Sequence, residues 1–123
     1  MIKPLSAVEL KRWLDDPSRE RPILLDVREH WEIEKCRFDG IRHIPMHEVP
    51  ARIDEVGDLG VQRAIVCICH HGVRSMQVAS FLQARLRRGR SDSVGTEDDV
   101  GIYNLSGGVA AWANEVDPSF PTY

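Results

Sequence analysis

Short apolar runs separated by segments with helical periodicity constrain the fold of this chain most strongly. Three runs have the length and composition of buried strands, at residues 23–27, 64–68 and 102–105. Strands that are apolar on both faces are typical of parallel sheets covered by helices. Because helical segments alternate with these runs, we predict an α/β fold with a mainly parallel sheet.

The helical segments are marked by a cap and by periodicity. Ser6 and Glu9 have the spacing of a capping box, which predicts a helix over residues 7–15. Residues 75–87 form the clearest amphipathic segment. Its predicted inward side chains are Val78, Phe81, Leu82 and Leu86. Further helices are predicted over residues 29–35, 48–56 and 107–114, and an extended piece over residues 42–45.

Length, composition and charge narrow the functional class. The 123 residues predict a single domain over residues 1–123, with a longer surface loop around residues 88–100. The formal net charge of −3 gives no reason to expect a nucleic-acid partner. No apolar run is long enough to span a bilayer, and the N-terminus lacks the apolar core of a signal peptide. We therefore expect a cytoplasmic protein with no membrane partner.

The chain has three cysteines, and one of them stands out. An odd, small number of cysteines without a signal peptide argues against a disulfide framework. Cys67 lies inside an apolar run and Cys36 has no chemical neighbours in sequence, so we interpret both as packing residues. Cys69 ends the run at residues 64–68 and precedes the helix at residues 75–87. A thiol in that place faces the free N–H groups of a helix start, which stabilise a thiolate.

The turn after Cys69 has the composition of a small anion site. Gly72 permits a positive φ, Arg74 supplies a guanidinium suited to sulfonate or phosphate oxygens, and Ser75 is placed to cap the helix. Successive N–H groups in such a turn hold an anion. We therefore predict that Cys69 is the catalytic nucleophile. The predicted substrate-binding residues are His70, His71, Gly72, Val73, Arg74 and Ser75.

Two other chemistries fit parts of this loop. Cysteine and histidine cluster at residues 67–71, which suggests a metal, but no second Cys/His pair lies at ligand spacing. We therefore expect no metal and no other cofactor. Cysteine-dependent phosphatases also combine a cysteine with an arginine, but their motif places one more residue between the two than lies between Cys69 and Arg74. The shorter loop favours a smaller centre such as sulfur.

Four segments occur in order along the chain and match a known pattern. They are Asp26-Val-Arg-Glu-His-Trp-Glu, Phe38-Asp-Gly-Ile-Arg-His-Ile-Pro, Cys69-His-His-Gly-Val-Arg-Ser and Asn104-Leu-Ser-Gly-Gly-Val-Ala-Ala-Trp. No single segment is decisive, but the ordered set is specific. The set resembles the rhodanese family in its single-domain form.

The resemblance implies a five-stranded parallel sheet flanked by helices, and sulfur transfer through a persulfide on Cys69. A small sulfur-containing anion such as thiosulfate would donate the sulfur, and cyanide or a thiol would accept it. Arg74 would attract the charge of the donor, and the N–H groups of residues 70–75 would stabilise the persulfide. Asp26 and Arg28 follow a neighbouring strand, where we expect an ion pair or a helix cap that supports the loop.

Three alternatives remain open. A persulfide carrier would receive its sulfur from a partner protein such as a cysteine desulfurase. A regulatory module would dock a partner protein without using Cys69 as a nucleophile. A phosphatase or arsenate reductase is disfavoured by the spacing of Cys69 and Arg74.

Overall fold

Five parallel strands form the centre of the fold. The computed structural model describes residues 2–56, 63–89 and 101–123. Within these residues the strands are β1 (Lys3–Leu5), β2 (Ile23–Asp26), β3 (Arg42–His43), β4 (Ile65–Ile68) and β5 (Ile102–Leu105). Their order across the sheet is β1-β5-β4-β2-β3, and all pairs are parallel. The predicted α/β fold with a five-stranded parallel sheet is confirmed.

Helices cover both faces of this sheet. The α-helices are α1 (Ala7–Asp15), α2 (His30–Lys35), α3 (Val73–Gly89) and α4 (Gly108–Glu115), and two 3₁₀ helices span Met46–Glu48 and Ile53–Glu55. One core lies between the sheet, α3 and the segment with the 3₁₀ helices. A second core lies between the opposite face of the sheet, α1 and α4.

The central position of β4 in the sheet explains why the sequence of this strand is continuously apolar. Ile65 and Cys67 pack into the core under α3, whereas Val66 and Ile68 pack into the core under α1 and α4. All four side chains are fully buried. Each large aliphatic side chain buried in this way contributes about 1.5–3 kcal/mol. The strand therefore places whatever follows Ile68 at a rigid point in the middle of the sheet edge.

The helix predicted over residues 7–15 is confirmed together with its cap. The Glu9 N–H donates to Ser6 Oγ at 3.0 Å, and the Ser6 N–H donates to Glu9 Oε1 at 2.8 Å. This reciprocal pair satisfies two N–H groups that the helix itself leaves without partners. The start of α1 is therefore determined by local sequence.

The α-helix predicted over residues 48–56 is wrong, because two 3₁₀ helices occupy this segment. The Val49 N–H donates to Met46 O, a contact that spans three residues instead of four. Pro50 has no N–H with which to continue an α-helical ladder. Residues 49–52 separate the two 3₁₀ helices, and Arg52, with φ −116° and ψ 26°, is the N-cap of the second.

The long helix α3 begins two residues earlier than predicted. Gly72 adopts a left-handed conformation, and its carbonyl accepts the first helical bond, from the Met76 N–H. Val78 and Leu82 are buried as predicted and Phe81 is partly buried, whereas the side chain of Leu86 lies outside the described part. Residues 88 and 89 of the predicted surface loop belong to α3, and residues 90–100 lie outside the described residues. Among the described residues, no helix is long and apolar enough to cross a bilayer.

Candidate active site

Cys69 lies directly after β4, at the carboxyl edge of the sheet. The neighbouring strands β2 and β5 end at the same edge, which is where ligands bind in open parallel sheets. The Cys69 side chain is only 1% exposed. Its position follows from the buried strand before it and the helix after it, as the sequence predicts.

Three donors surround the sulfur of Cys69. The Gly72 N–H lies 3.1 Å from Sγ, and both the N–H and the hydroxyl of Ser75 lie 3.3 Å from it. The N–H groups come from the first turn of α3 and the residue before it, where a helix leaves its N–H groups without internal partners. A 17-residue helix also directs the positive end of its dipole at this point. The arrangement stabilises negative charge on sulfur.

Gly72 allows the loop to close tightly around the sulfur. Its φ of 98° is the left-handed conformation that the sequence predicts for this turn. A Cβ atom at this position would lie 3.1 Å from the Gly107 nitrogen and 3.3 Å from the Leu105 oxygen. The loop therefore packs directly on the connection between β5 and α4, and a side chain at Gly72 would press on the backbone of that connection.

Ser75 does not cap α3, contrary to the prediction. Because α3 starts at Val73, Ser75 is its third residue and its side chain points inward, fully buried. The hydroxyl lies 2.5 Å from Asn104 Oδ1 as well as 3.3 Å from Cys69 Sγ. Asn104 Nδ2 in turn donates to Gly72 O at 3.2 Å. Asn104 thus holds the loop at Gly72, in its middle, and at Ser75, at its end.

The start of α4 holds the loop from the other side. The Val109 N–H donates to Cys69 O and the Ala110 N–H donates to His70 O, both at 3.0 Å. Gly108, with φ 60°, makes this approach possible, because a Cβ atom there would collide with the same two carbonyl oxygens. The sequence predicts a helix over residues 107–114. The structure shows that the start of this helix docks on the cysteine loop.

Arg74 is held by a carboxylate. Its guanidinium donates to both oxygens of Glu32 on α2, at 2.6 and 2.8 Å. Glu32 also accepts from the Tyr123 hydroxyl at 2.8 Å and from the Glu29 N–H at 3.0 Å. Burial raises the pKa of Glu32, but the hydrogen bonds from Arg74, Glu29 and Tyr123 outweigh burial and bring that pKa to about 2. Arg74 is therefore neutralised by Glu32 in this structure.

Asp26 and Arg28 form a buried ion pair beside the loop. Arg28 Nη2 lies 2.7 Å from Asp26 Oδ2, and neither side chain is exposed. Burial disfavours the charge of Arg28, but the hydrogen bonds and charge of Asp26 raise the Arg28 pKa above its usual value. Arg28 also donates to Cys36 O at 2.7 Å and to the Tyr123 hydroxyl at 3.0 Å. The pair supports Tyr123, and none of its hydrogen bonds reaches Cys69.

The two histidines of the loop form a stack with Tyr123. The rings of His70 and His71 lie 4.0 Å apart, and those of His70 and Tyr123 lie 4.1 Å apart. Burial, followed by the neighbouring charge of His71, lowers the pKa of His70. The three rings line a cavity of about 180 Å³ together with Val109, Ala110, Pro121 and Thr122. Val73, the other predicted loop contact, is 68% exposed at the start of α3.

The remaining cysteines pack in the interior. Burial, together with the charge of Cys69, raises the pKa of Cys67 to about 12, so its thiol stays protonated. Cys36 is also buried, with its sulfur 3.7 Å from Arg28 Nη1. Among the described residues, no group of three His, Cys, Asp or Glu side chains converges as metal ligands would.

Three residues of this site were not singled out from sequence. Asn104 is a polar side chain inside an otherwise apolar strand, and that contrast is the signal that points to it. Glu32 and Tyr123 carry no comparable local signal, because their partners lie far away in the chain. Glu32 is 42 residues from Arg74 and 91 residues from Tyr123.

Known proteins share this sequence pattern. A family model described as a rhodanese-like domain matches residues 6–115. The chain is 29% identical to the putative sulfurtransferase YtwF of Bacillus subtilis, over 95% of this chain and 96% of that protein. It is 32% identical to the adenylyltransferase and sulfurtransferase MOCS3 of Xenopus laevis, over 97% of this chain.

The fold is shared as well. A crystal structure of a rhodanese-like domain protein from Staphylococcus aureus matches with a TM-score of 0.71 and 23% identity, covering 94% of this chain and 95% of that chain. The chain spans 27% of the length of the Xenopus protein and 38% of that of another curated relative. The match of a single family model to most of the sequence, on this fold, shows that the chain belongs to the rhodanese-like domain family.

Proposed function

We propose that the protein is a sulfurtransferase that carries sulfane sulfur as a persulfide on Cys69. The observation that carries the proposal is the set of three donors, from Gly72 and Ser75, within 3.3 Å of Sγ. Two relatives that match almost the whole chain, YtwF and MOCS3, also have sulfurtransferase in their names. A small sulfane-sulfur compound, a class that includes thiosulfate, is the proposed donor, and cyanide or a thiol is the proposed acceptor.

The reaction has two covalent steps. The Cys69 thiolate attacks the outer sulfur of thiosulfate, a new S–S bond forms, and the old S–S bond breaks so that sulfite leaves with its electron pair. Cyanide or a thiolate then attacks the outer sulfur of the persulfide, and Cys69 recovers its thiolate. The second step yields thiocyanate or a new persulfide. Splitting the transfer in this way is ordinary nucleophilic catalysis.

The loop supplies stabilisation of charge in both steps. Donors placed where charge develops lower the barrier without reorganisation. The N–H groups of Gly72 and Ser75 donate to Cys69 Sγ, which carries the thiolate charge before the first step and recovers it in the second, and Asn104 keeps them in position through its bonds to Gly72 O and the Ser75 hydroxyl. The pairing of Arg74 with Glu32 counts against a phosphatase, since that chemistry needs a free guanidinium on the phosphoryl oxygens.

The test is the mass of the protein after exposure to donor. Incubation with thiosulfate is expected to add the mass of one sulfur atom, located on Cys69 by peptide mapping. Cys69→Ser should carry no adduct and no cyanide-dependent turnover, whereas Cys67→Ser, which removes the neighbouring buried thiol, should retain the adduct. Activity of Cys69→Ser equal to that of the native protein would refute the proposal.

A partner protein as the sulfur donor is the second candidate. Val73, Met76 and Trp31 are 68%, 40% and 56% exposed, and all three belong to α3 or α2, the helices joined by the Arg74–Glu32 pair. Contiguous apolar patches mark protein contact sites, whereas single exposed apolar side chains do not, so this candidate rests on the three side chains acting as one patch. Persulfide formation from a cysteine desulfurase with cysteine, at a rate far above that with thiosulfate, would select this candidate.

A further inference from the structure

Both arginines that the structure places beside the cysteine loop are paired with carboxylates. The Glu32 carboxylate accepts hydrogen bonds from both Nη atoms of Arg74. The Glu32 side chain is 3% exposed and the Arg74 side chain is 32% exposed. Asp26 accepts hydrogen bonds from Nε and Nη2 of Arg28, and both side chains are entirely out of solvent. A bidentate pair of this kind is strong and geometrically specific. The charge of Arg74 is therefore compensated before any donor arrives.

Glu32 is itself held in place by other contacts. The Tyr123 hydroxyl donates to Glu32 Oε2, and the Glu29 N–H at the start of α2 donates to Oε1. Tyr123 is positioned by Arg28 and by its stacking on His70. Because Glu29, Tyr123 and Arg74 all donate to this carboxylate, turning it away from Arg74 breaks several hydrogen bonds together.

This pairing has a consequence for the donor. The N–H groups around Cys69 Sγ match a single negative charge on sulfur, but the sulfonate of thiosulfate brings further charge. We propose that Glu32 is a positioning residue that sets donor selectivity: it withholds the Arg74 guanidinium from the donor, disfavours dianionic thiosulfate and favours persulfides of small thiols. The inference rests on the proposed persulfide chemistry of Cys69 and names the donor class of that site.

The transfer from such a donor balances without further reactants. The Cys69 thiolate attacks the outer sulfur of R–S–SH and forms a new S–S bond. The S–S bond of the donor breaks, and R–S⁻ leaves with the electron pair. The proton of the donor stays on the transferred sulfur, so the step needs no guanidinium to hold a sulfonate.

The test measures how thiosulfate and cysteine persulfide load Cys69 in single-turnover experiments read by intact mass. Glu32→Gln is expected to lower the half-saturating thiosulfate concentration about five- to tenfold, because it frees one positive charge near the site. The maximal loading rate and the response to cysteine persulfide should stay within about twofold. The gain with thiosulfate should shrink in high salt, which a merely structural effect would not do.

The matched control is Glu34→Gln on the same helix. Glu34 is exposed, so its loss changes net charge equally and is expected to leave loading unchanged. The double variant Glu32→Gln/Arg74→Gln should return the half-saturating concentration to the native value. Tyr123→Phe removes one hydrogen bond from Glu32 and keeps the ring, so it should shift thiosulfate loading in the same direction by a smaller factor. If Glu32→Gln does not fold, the thiosulfate loading of Tyr123→Phe tests the role of Glu32.

The outcomes separate this inference from the proposed function. If the native protein acquires one sulfur on Cys69 but neither Glu32→Gln nor Tyr123→Phe improves thiosulfate loading over Glu34→Gln, the role of Glu32 is refuted alone. If no variant acquires sulfur from either donor, the proposed function itself fails.

Discussion

Ser75 contributes two of the three groups around the Cys69 sulfur. Its N–H depends on the helix, but its hydroxyl depends only on the side chain. The hydroxyl has one proton and two acceptors nearby, Asn104 Oδ1 and Cys69 Sγ. A growing negative charge on sulfur therefore competes with Asn104 for that proton, which makes the hydroxyl responsive to the persulfide state.

We expect Ser75→Ala to reduce kcat/KM for sulfur transfer roughly tenfold, because a hydrogen bond to charged sulfur is lost while the backbone donors remain. Steady-state kinetics with thiosulfate and cyanide measure the effect. Ser80→Ala is the matched control, since Ser80 is exposed on the same helix and its loss should change little. An unchanged kcat/KM in Ser75→Ala would show that the hydroxyl takes no part in holding the sulfur.

At the scale of elements, α4 acts as a support for the cysteine loop. Its first N–H groups bind the carbonyls of Cys69 and His70, and this docking requires glycine at position 108. The loop is thus fixed between two helices. The start of α3 presents N–H groups to the sulfur, and the start of α4 presents N–H groups to the backbone behind it.

Gly108→Ala is expected to destabilise the fold by at least about 2 kcal/mol, because its Cβ atom collides with backbone oxygens of the loop. Gly40→Ala is the matched control. Gly40 also has a left-handed φ, of 74°, but a Cβ atom there meets only the side chain of Arg21 at 3.6 Å or more. Urea unfolding separates the two, and equal losses in both variants would mean that backbone strain alone explains the effect.

Elements with strong local signals are the ones that sequence predicts. The runs that form β2, β4 and β5 are mostly apolar, with buried side chains on both faces of the sheet. The two residues that cap α1, Ser6 and Glu9, lie close together in the sequence. The edge strand β1 escapes prediction, since it has three residues and contains Pro4. The sequence around Pro50 predicts an α-helix, because the residue types of this segment do not distinguish an α-helix from the 3₁₀ turns that the structure has there.

At the scale of the whole molecule, one chain of polar contacts joins distant parts of the sequence. It runs from Asp26 through Arg28 and Tyr123 to Glu32 and Arg74. Apart from the Asp26–Arg28 pair, each contact in this chain joins parts of the sequence that meet only in the folded state. Sequence predicts Cys69 and its loop because those residues are adjacent, but it cannot show which carboxylate holds Arg74. The tertiary fold decides that pairing.

This chain of contacts makes acid stability depend on Glu32. Its folded pKa of about 2 lies below its ordinary value of 4.5, so the unfolded chain takes up a proton first as the pH falls. The stability that Glu32 contributes is therefore complete above about pH 4.5 and is lost between there and about pH 2. Because the carboxylate is buried, replacing only one partner of its ion pair with Arg74 leaves the other charge without its partner and destabilises the fold.

Glu32→Gln is expected to lower the free energy of unfolding at pH 7 by about 2–3 kcal/mol and to flatten its decline between pH 4.5 and 2. Urea unfolding at several pH values across that interval measures both effects. Glu34→Gln, which removes an exposed carboxylate from the same helix, should keep the native decline. If Glu32→Gln and the native protein lose stability in parallel as the pH falls, the carboxylate does not hold α2, α3 and Tyr123 together. The acid sensitivity must then come from other groups.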